Sequence, residues 1–190
     1  MSSLTSRDRL LILEVARRAV ILAVTRRLAL ADLPETPELK RPCGAFVTLQ
    51  IRGRLRGCVG RIGGDQPLVR VVADCARSAA LEDPRFRPLE TREIEETEIE
   101  LSVLSPLEEI APARIEVGTH GLVVSRGWRR GVLMPQVALE RRWSPERFLE
   151  ETCVKAGFDR DAWKDPETRI HGFTAEIFCE AEFRSGLPEQ

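Results

Sequence analysis

The sequence predicts an α+β protein, with hairpins mixed among helices in no strict strand–helix–strand rhythm. Three observations carry this. A period-two stretch over residues 45–60 folds back across Arg52-Gly53-Arg54. Helical patterns flank it at residues 7–30 and 65–80. A second strand-rich half follows and closes on a run alternating from Phe173 to Phe183. At 190 residues the chain amounts to one domain, or two small lobes packed as one with mixed or antiparallel sheets.

The elements follow in order. Ser6 is positioned as an N-cap, Asp8 suits the first turn, and Leu11, Val15, Ala19, Leu22 and Ala23 form one helical stripe. Leu33-Pro34 and Pro37 open a turn-rich connector that reaches Pro42. Ala45, Val47, Leu49 and Ile51 alternate with Phe46, Thr48, Gln50 and Arg52, and Leu55 to Gly60 returns as a second strand. Asp65 and Pro67 read as cap and first turn of a helix whose buried face uses Leu68, Val71, Val72, Cys75 and Ala79. A strand then sets Ile99, Leu101 and Val103 against Glu98, Glu100 and Ser102. Gly121 to Ser125 and Val132 to Met134 read as strands around Arg126-Gly127, and Ser144-Pro145-Glu146 opens a helix that Gly157 closes. Phe173, Ala175, Ile177, Cys179, Ala181 and Phe183 predict the inner face of one last strand.

Composition excludes several classes. Hydrophobic residues at 43% and charged residues at 31% exclude wholesale disorder. Twenty-nine basic residues against 30 acidic ones give a net charge of -1, which excludes a highly basic nucleic-acid protein. Seven bases face only Asp65 between Lys40 and Arg70, but few aromatics accompany them, so single-strand binding through Arg52, Arg54, Arg56 and Arg61 ranks last. The uncharged run from Ala19 to Thr25 is far short of the roughly 18 residues a spanning helix needs. Glu14 and two arginines interrupt any signal-peptide pattern, so the expected address is the cytoplasm, with five reduced cysteines. With two histidines and no paired cysteines, neither an intrinsic metal nor a cofactor is expected.

The densest chemical signal is Leu55-Arg56-Gly57-Cys58-Val59-Gly60. Glycines flank a cysteine at a strand end, where backbone turns sharply or approaches a ligand. In an extended segment Arg56 and Cys58 share a side, and a guanidinium favours thiolate over thiol. The bland alternative is a small buried hydrophobe in a tight turn. Core packing is expected for Cys75, Cys153 and Cys179, and an incidental loop position for Cys43. His120 is a general-base candidate or a local hydrogen-bonding residue. In Asp83-Pro84-Arg85-Phe86, Arg85 either binds an anion or pairs internally with Asp83. Glu100 is an acid–base candidate on a polar strand face, and Gln136 offers a donor and an acceptor past a strand end.

These segments, taken in order, resemble the AMMECR domain family, also called AmmeMemoRadiSam system protein A. The resemblance rests on Leu55 to Gly60, Pro67-Leu68, Ala79-Ala80, Asp83 to Phe86, Glu100 to Ser105, Gly118-x-His120-Gly121, Gly131-x-Leu133-x-Pro135-Gln136-Val137 and Cys153-x-Lys155-Ala156-Gly157. It covers residues 6–183 as a single domain of two lobes, with 184–190 as a tail. It implies a cleft near the hexapeptide and company in prokaryotes: a Memo-like protein and a radical S-adenosylmethionine enzyme. It implies no particular reaction.

The leading expectation is an enzyme or enzyme component with Cys58 as the reacting thiol. Arg56, Arg85 and Gln136 would serve a small anionic ligand, and His120 and Glu100 would transfer protons. The runner-up is a non-catalytic binding module in which the hexapeptide is a structural turn. Arg56, Cys58, Arg85 and at least one of Glu100, His120 or Gln136 are expected to line one cleft between the lobes.

Overall fold

The computed structural model describes residues 4–27 and 33–184. The chain divides into two units. One runs to Leu104 and resumes at Glu176; the other is Ser105–Ala175.

In the first unit, α1 (Ser6–Val24) starts from Thr5, one residue before the expected cap. The Thr5 hydroxyl accepts the Asp8 N–H at 3.1 Å and the Asp8 carboxylate accepts the Thr5 N–H, a reciprocal capping box. Its buried face is Ile12, Leu13, Val15, Ala16, Ala19 and Val20; Leu11, Leu22 and Ala23 are only half-buried. Arg17 fixes this roll by donating to Glu180 and to the carbonyls of Ile94 and Thr97. Residues 28–30 of the expected helix, and 185–190 of the expected tail, lie outside the described residues.

The expected connector contains a single helical turn, α2 (Pro37–Lys40), capped by Thr36. The hairpin β1 (Ala45–Ile51) and β2 (Arg54–Arg61) follows. Arg52 and Gly53 both take positive φ (52° and 72°), the hand that matches strand twist in a two-residue turn. The helix α3 (Leu68–Leu81) has no side-chain cap; the carbonyl of Arg41 accepts the Leu68 N–H at 3.0 Å, leaving Asp65 no capping role. The expected face of α3 is buried throughout. On β3 (Thr97–Leu104), Ile99, Leu101 and Val103 point into the core as expected. β1 pairs antiparallel with both β2 and β3. Ala45, Val47 and Leu49 face α1 and α3 in one apolar cluster, so the opposite face, bearing Thr48, Gln50, Glu98 and Glu100, is the polar one.

The second unit holds β4 (Glu108–Glu109), β5 (Gly121–Arg126), β6 (Arg129–Leu133), α4 (Pro135–Glu140), α5 (Pro145–Lys155) and β7 (Arg169–Phe173). Its sheet runs β4-β7-β5-β6. Ser144 caps α5 by accepting the Arg147 N–H, and Gly157 follows the helix at φ 76°. Gly131 lets α5 lie against β6: a Cβ there would stand 2.5 Å from the Thr152 carbonyl oxygen.

The last run is not one strand. It breaks at Thr174 into β7, in the second unit's sheet, and β8 (Ala175–Cys179), which joins β3 in the order β2-β1-β3-β8; α6 (Glu180–Arg184) then closes the described chain. The break inverts the expected face. Phe178 is fully buried, Ile177 is exposed and Cys179 is half-buried. Among the described residues no helix is long and apolar enough to cross a membrane.

Candidate functional site around Cys58

A bulge between Leu49 and Gln50 decides where the hexapeptide's side chains point. Past the turn, Ile51 pairs with Arg54 and Gln50 with Leu55, but Leu49 pairs with Gly57 and Thr48 with Cys58. Arg56 is therefore the extra, unpaired residue. Without the bulge Cys58 would oppose Val47 and point into the core. With it, Cys58 opposes Thr48 on the polar face, and Gly57 opposes Leu49 on the core face. Simple alternation across Arg56 to Cys58 does not hold.

Both flanking glycines have a spatial reason. A Cβ on Gly57 would stand 2.2 Å from the Ala79 carbonyl oxygen of α3, and one on Gly60 would strike the Phe46 ring at 2.1 Å. The hexapeptide is thus pressed between α3 on one face and Phe46 on the other.

β2 is an edge strand, and the Asp83–Phe86 loop covers the outward backbone groups of Cys58. The Cys58 N–H donates to Asp83 Oδ2 at 2.8 Å, and Arg85 Nη2 donates to the Cys58 carbonyl at 3.2 Å. Arg85 also donates from Nε to Asp83 Oδ1 (3.0 Å) and from Nη2 to Oδ2 (2.7 Å). Asp83 is buried, and these donors, Arg85 foremost, hold its carboxyl far below the usual carboxylate range. Arg85 is half-exposed. Because the Cys58 backbone bonds outward, Cys58 and Thr48 form a non-hydrogen-bonded cross-strand pair, the closer kind. Accordingly Thr48 Oγ1 donates to Cys58 Sγ at 3.3 Å. On its other side Thr48 opposes Glu100 of β3. The Glu100 carboxyl is pushed up, by burial first and then by Glu182 and Glu98.

The structure thus joins Arg85 to Cys58 through Asp83 and the Cys58 backbone, and sets Glu100 two strands away, on the far side of Thr48. Arg56 turns elsewhere. Its guanidinium holds Glu93 through two bonds of 3.0 Å and also donates to the carbonyls of Arg87 and Pro88. Only 12% of that side chain is exposed. His120 and Gln136 belong to the second unit. The register Leu122 to Leu133 sets them at the same end of the β5–β6 hairpin. His120 closes a turn, its Nδ1 accepting the Glu116 N–H at 3.0 Å, and Gln136 sits in the first turn of α4 rather than in a plain loop.

Three cysteines are buried in cores: Cys43, Cys75 and Cys153. Cys43 lies in the connector before β1, as expected, but at 3% exposed it is packed into the core and not an incidental thiol. Burial pushes the Cys75 thiol up to about 11. Among the described residues no three of His, Cys, Asp or Glu converge as metal ligands. Sequence reasoning missed Thr48, which differs from any wet strand threonine only through the bulge.

The sequence model of the AMMECR1 family matches residues 13–178. A protein of Methanothermobacter thermautotrophicus is 46% identical over 156 residues, covering 78% of this chain and 80% of its own. One from Thermococcus gammatolerans is 42% identical over 188 residues, 92% of this chain and 91% of its own. The crystal structure of an uncharacterized protein from Pyrococcus horikoshii is similar at TM-score 0.80 and 39% identity, over 89% of each chain.

Proposed function

The chain belongs to the AMMECR1 family, and from that premise we propose that it is a cytoplasmic enzyme or enzyme component whose reacting group is the Cys58 thiol. The single observation that carries this reading is the bulge. It lifts one cysteine out of the core onto the polar face, half-exposed, while Asp83 and Arg85 clamp its backbone on the open edge. A thiol needs such a place to meet a substrate; Cys43, Cys75 and Cys153 have none. Arg85, half-exposed and bonded to the Cys58 carbonyl, offers a small anionic ligand a guanidinium next to the Cys58 strand. The proposed partners are a Memo-like protein and a radical S-adenosylmethionine enzyme.

The test is the rate at which neutral iodoacetamide alkylates Cys58 at neutral pH, read by peptide mapping, against the same protein in denaturant. A native rate above the unstructured rate supports the reading, and an equal or slower one removes it. Replacing Cys58 by alanine in a reconstituted mixture with the proposed partners then separates enzyme from binding module. Lost turnover with retained assembly supports the enzyme. Retained turnover makes the hexapeptide a structural element, a reading that the tight seating of Gly57 and Gly60 favours.

A further inference from the structure

We infer that Thr48 is a positioning residue that couples Cys58 to Glu100, passing the thiol proton across three adjacent strands to the Glu100 carboxylate. The inference rests on the reactive-thiol reading above and deepens it by naming where the proton goes.

The row follows from register. Thr48 of β1 is the direct partner of Cys58 on β2 and of Glu100 on β3, so all three side chains stand on one face in a line. The Thr48 backbone faces away from Cys58 and so bonds toward β3. Thr48 and Glu100 are therefore a hydrogen-bonded pair with Cα atoms about 5.5 Å apart, within reach of a glutamate side chain. Thr48 Oγ1 already donates to Cys58 Sγ. A hydroxyl donates once and keeps lone pairs to accept with, which is what a relay between two acids requires.

The step balances. The Cys58 S–H bond breaks and its electron pair stays on sulfur. The proton goes to Thr48 Oγ1 as the Thr48 hydroxyl proton passes to a Glu100 oxygen. A neutral thiol and a carboxylate become a thiolate and a neutral carboxylic acid, with no change in net charge. In the product state Thr48 donates to sulfur across the 3.3 Å contact between the two atoms. Partial burial, with Glu98 and Glu182 close to the same carboxyl, raises the affinity of Glu100 for a proton, which is what an acceptor of the thiol proton needs.

The experiment is iodoacetamide alkylation of Cys58 at neutral pH in wild type, Thr48→Val, Thr48→Ser, Glu100→Gln and the Thr48→Val/Glu100→Gln pair, with thermal melts as the check on folding. Valine keeps the β-branched shape and removes the hydroxyl. Thr48→Val is expected to slow alkylation about tenfold, the scale of one hydrogen bond to a charged group. Thr48→Ser is expected to stay within about twofold of wild type, since it keeps that bond. Glu100→Gln is expected to slow the reaction, and the pair to be no slower than the slower single variant, because both cut one path. The sign for Glu100 decides between two roles. A carboxylate that is only a nearby charge repels a thiolate, so its removal would speed alkylation and overturn the inference. Unchanged rates in Thr48→Val, or losses that multiply in the pair, overturn it as well while leaving a fast wild-type thiol intact. A wild-type rate equal to that of the denatured chain overturns both the inference and the reading it rests on.

Discussion

Asp83 Oδ2 accepts the backbone N–H of Cys58 at 2.8 Å while the same carboxylate anchors Arg85, which reaches back to the Cys58 carbonyl. An edge strand normally leaves such groups to water or to another chain. Here a buried carboxylate takes the amide, a guanidinium takes the carbonyl, and each neutralises the other.

Replacing Asp83 by asparagine is expected to cost about 2 kcal/mol, the scale of a charge-assisted hydrogen bond lost at a buried site. The urea midpoint would fall, and limited proteolysis would find β2 before other strands. An unchanged midpoint would mean that the clamp contributes nothing to stability.

Acid dependence has a fixed sign. Asp83 and Glu93 both lie below their ordinary values, held there chiefly by Arg85 and Arg56. As pH falls, the unfolded chain takes up these two protons first. The stability they contribute is complete above the unfolded value, about 4, and is lost as pH drops toward the folded values. Urea midpoints measured at pH 6, 4 and 3 should fall in wild type and fall less in Asp83→Asn and Glu93→Gln. Parallel declines in all three proteins would contradict this.

Arg56 is expected to act on the fold and not on the thiol. Arg56→Lys loses the two-pronged grip on Glu93 and should cost about 1–2 kcal/mol. Cys58 alkylation should stay within about twofold of wild type, because the guanidinium is spent on Glu93 and two carbonyls. A slowed thiol with an unchanged melt would return Arg56 to the reactive group.

Two glycines separate space from backbone. Gly57→Ala drives a Cβ against the Ala79 carbonyl and should cost about 1–3 kcal/mol, lowering Tm by roughly 3–10 °C. At Gly53 a Cβ meets open space but the φ of 72° remains, so alanine there should cost only about 1 kcal/mol. Differential scanning calorimetry reads both, and equal losses would remove the packing argument for the hexapeptide.

Alternation made β1 and β3 readable from sequence, because one face is buried and the other wet, and it placed Ile99, Leu101 and Val103 correctly. The hairpin that Arg52-Gly53-Arg54 suggested is present, with its turn confined to Arg52 and Gly53 and Arg54 already in β2. The bulge was not readable. One unpaired residue at Arg56 changes the partner of Thr48 from Gly57 to Cys58, and no side chain announces it. That single step separates a buried cysteine from one on the polar face. Periodicity misled most at the C-terminal end, where an unbroken alternation through Thr174 concealed a passage from one sheet to another. Cys43 read as a loop thiol because its burial comes from distant elements, not from its neighbours in sequence.

The first unit is made from two pieces of chain with 71 residues between them, Ser105 to Ala175. A ribosome therefore delivers β3 long before its neighbour β8. Through that interval the outer edge of β3 is open, Arg17 has no Glu180, and the Ile99 amide lacks the carboxylate that accepts it at 3.0 Å. The intervening segment can assemble its own sheet while the first sheet waits. A message cut short before codon 176 would yield a nascent chain with the Cys58 strand, its bulge and its clamp all encoded, yet with the opposite flank of the same sheet unfinished and ready to pair with another copy.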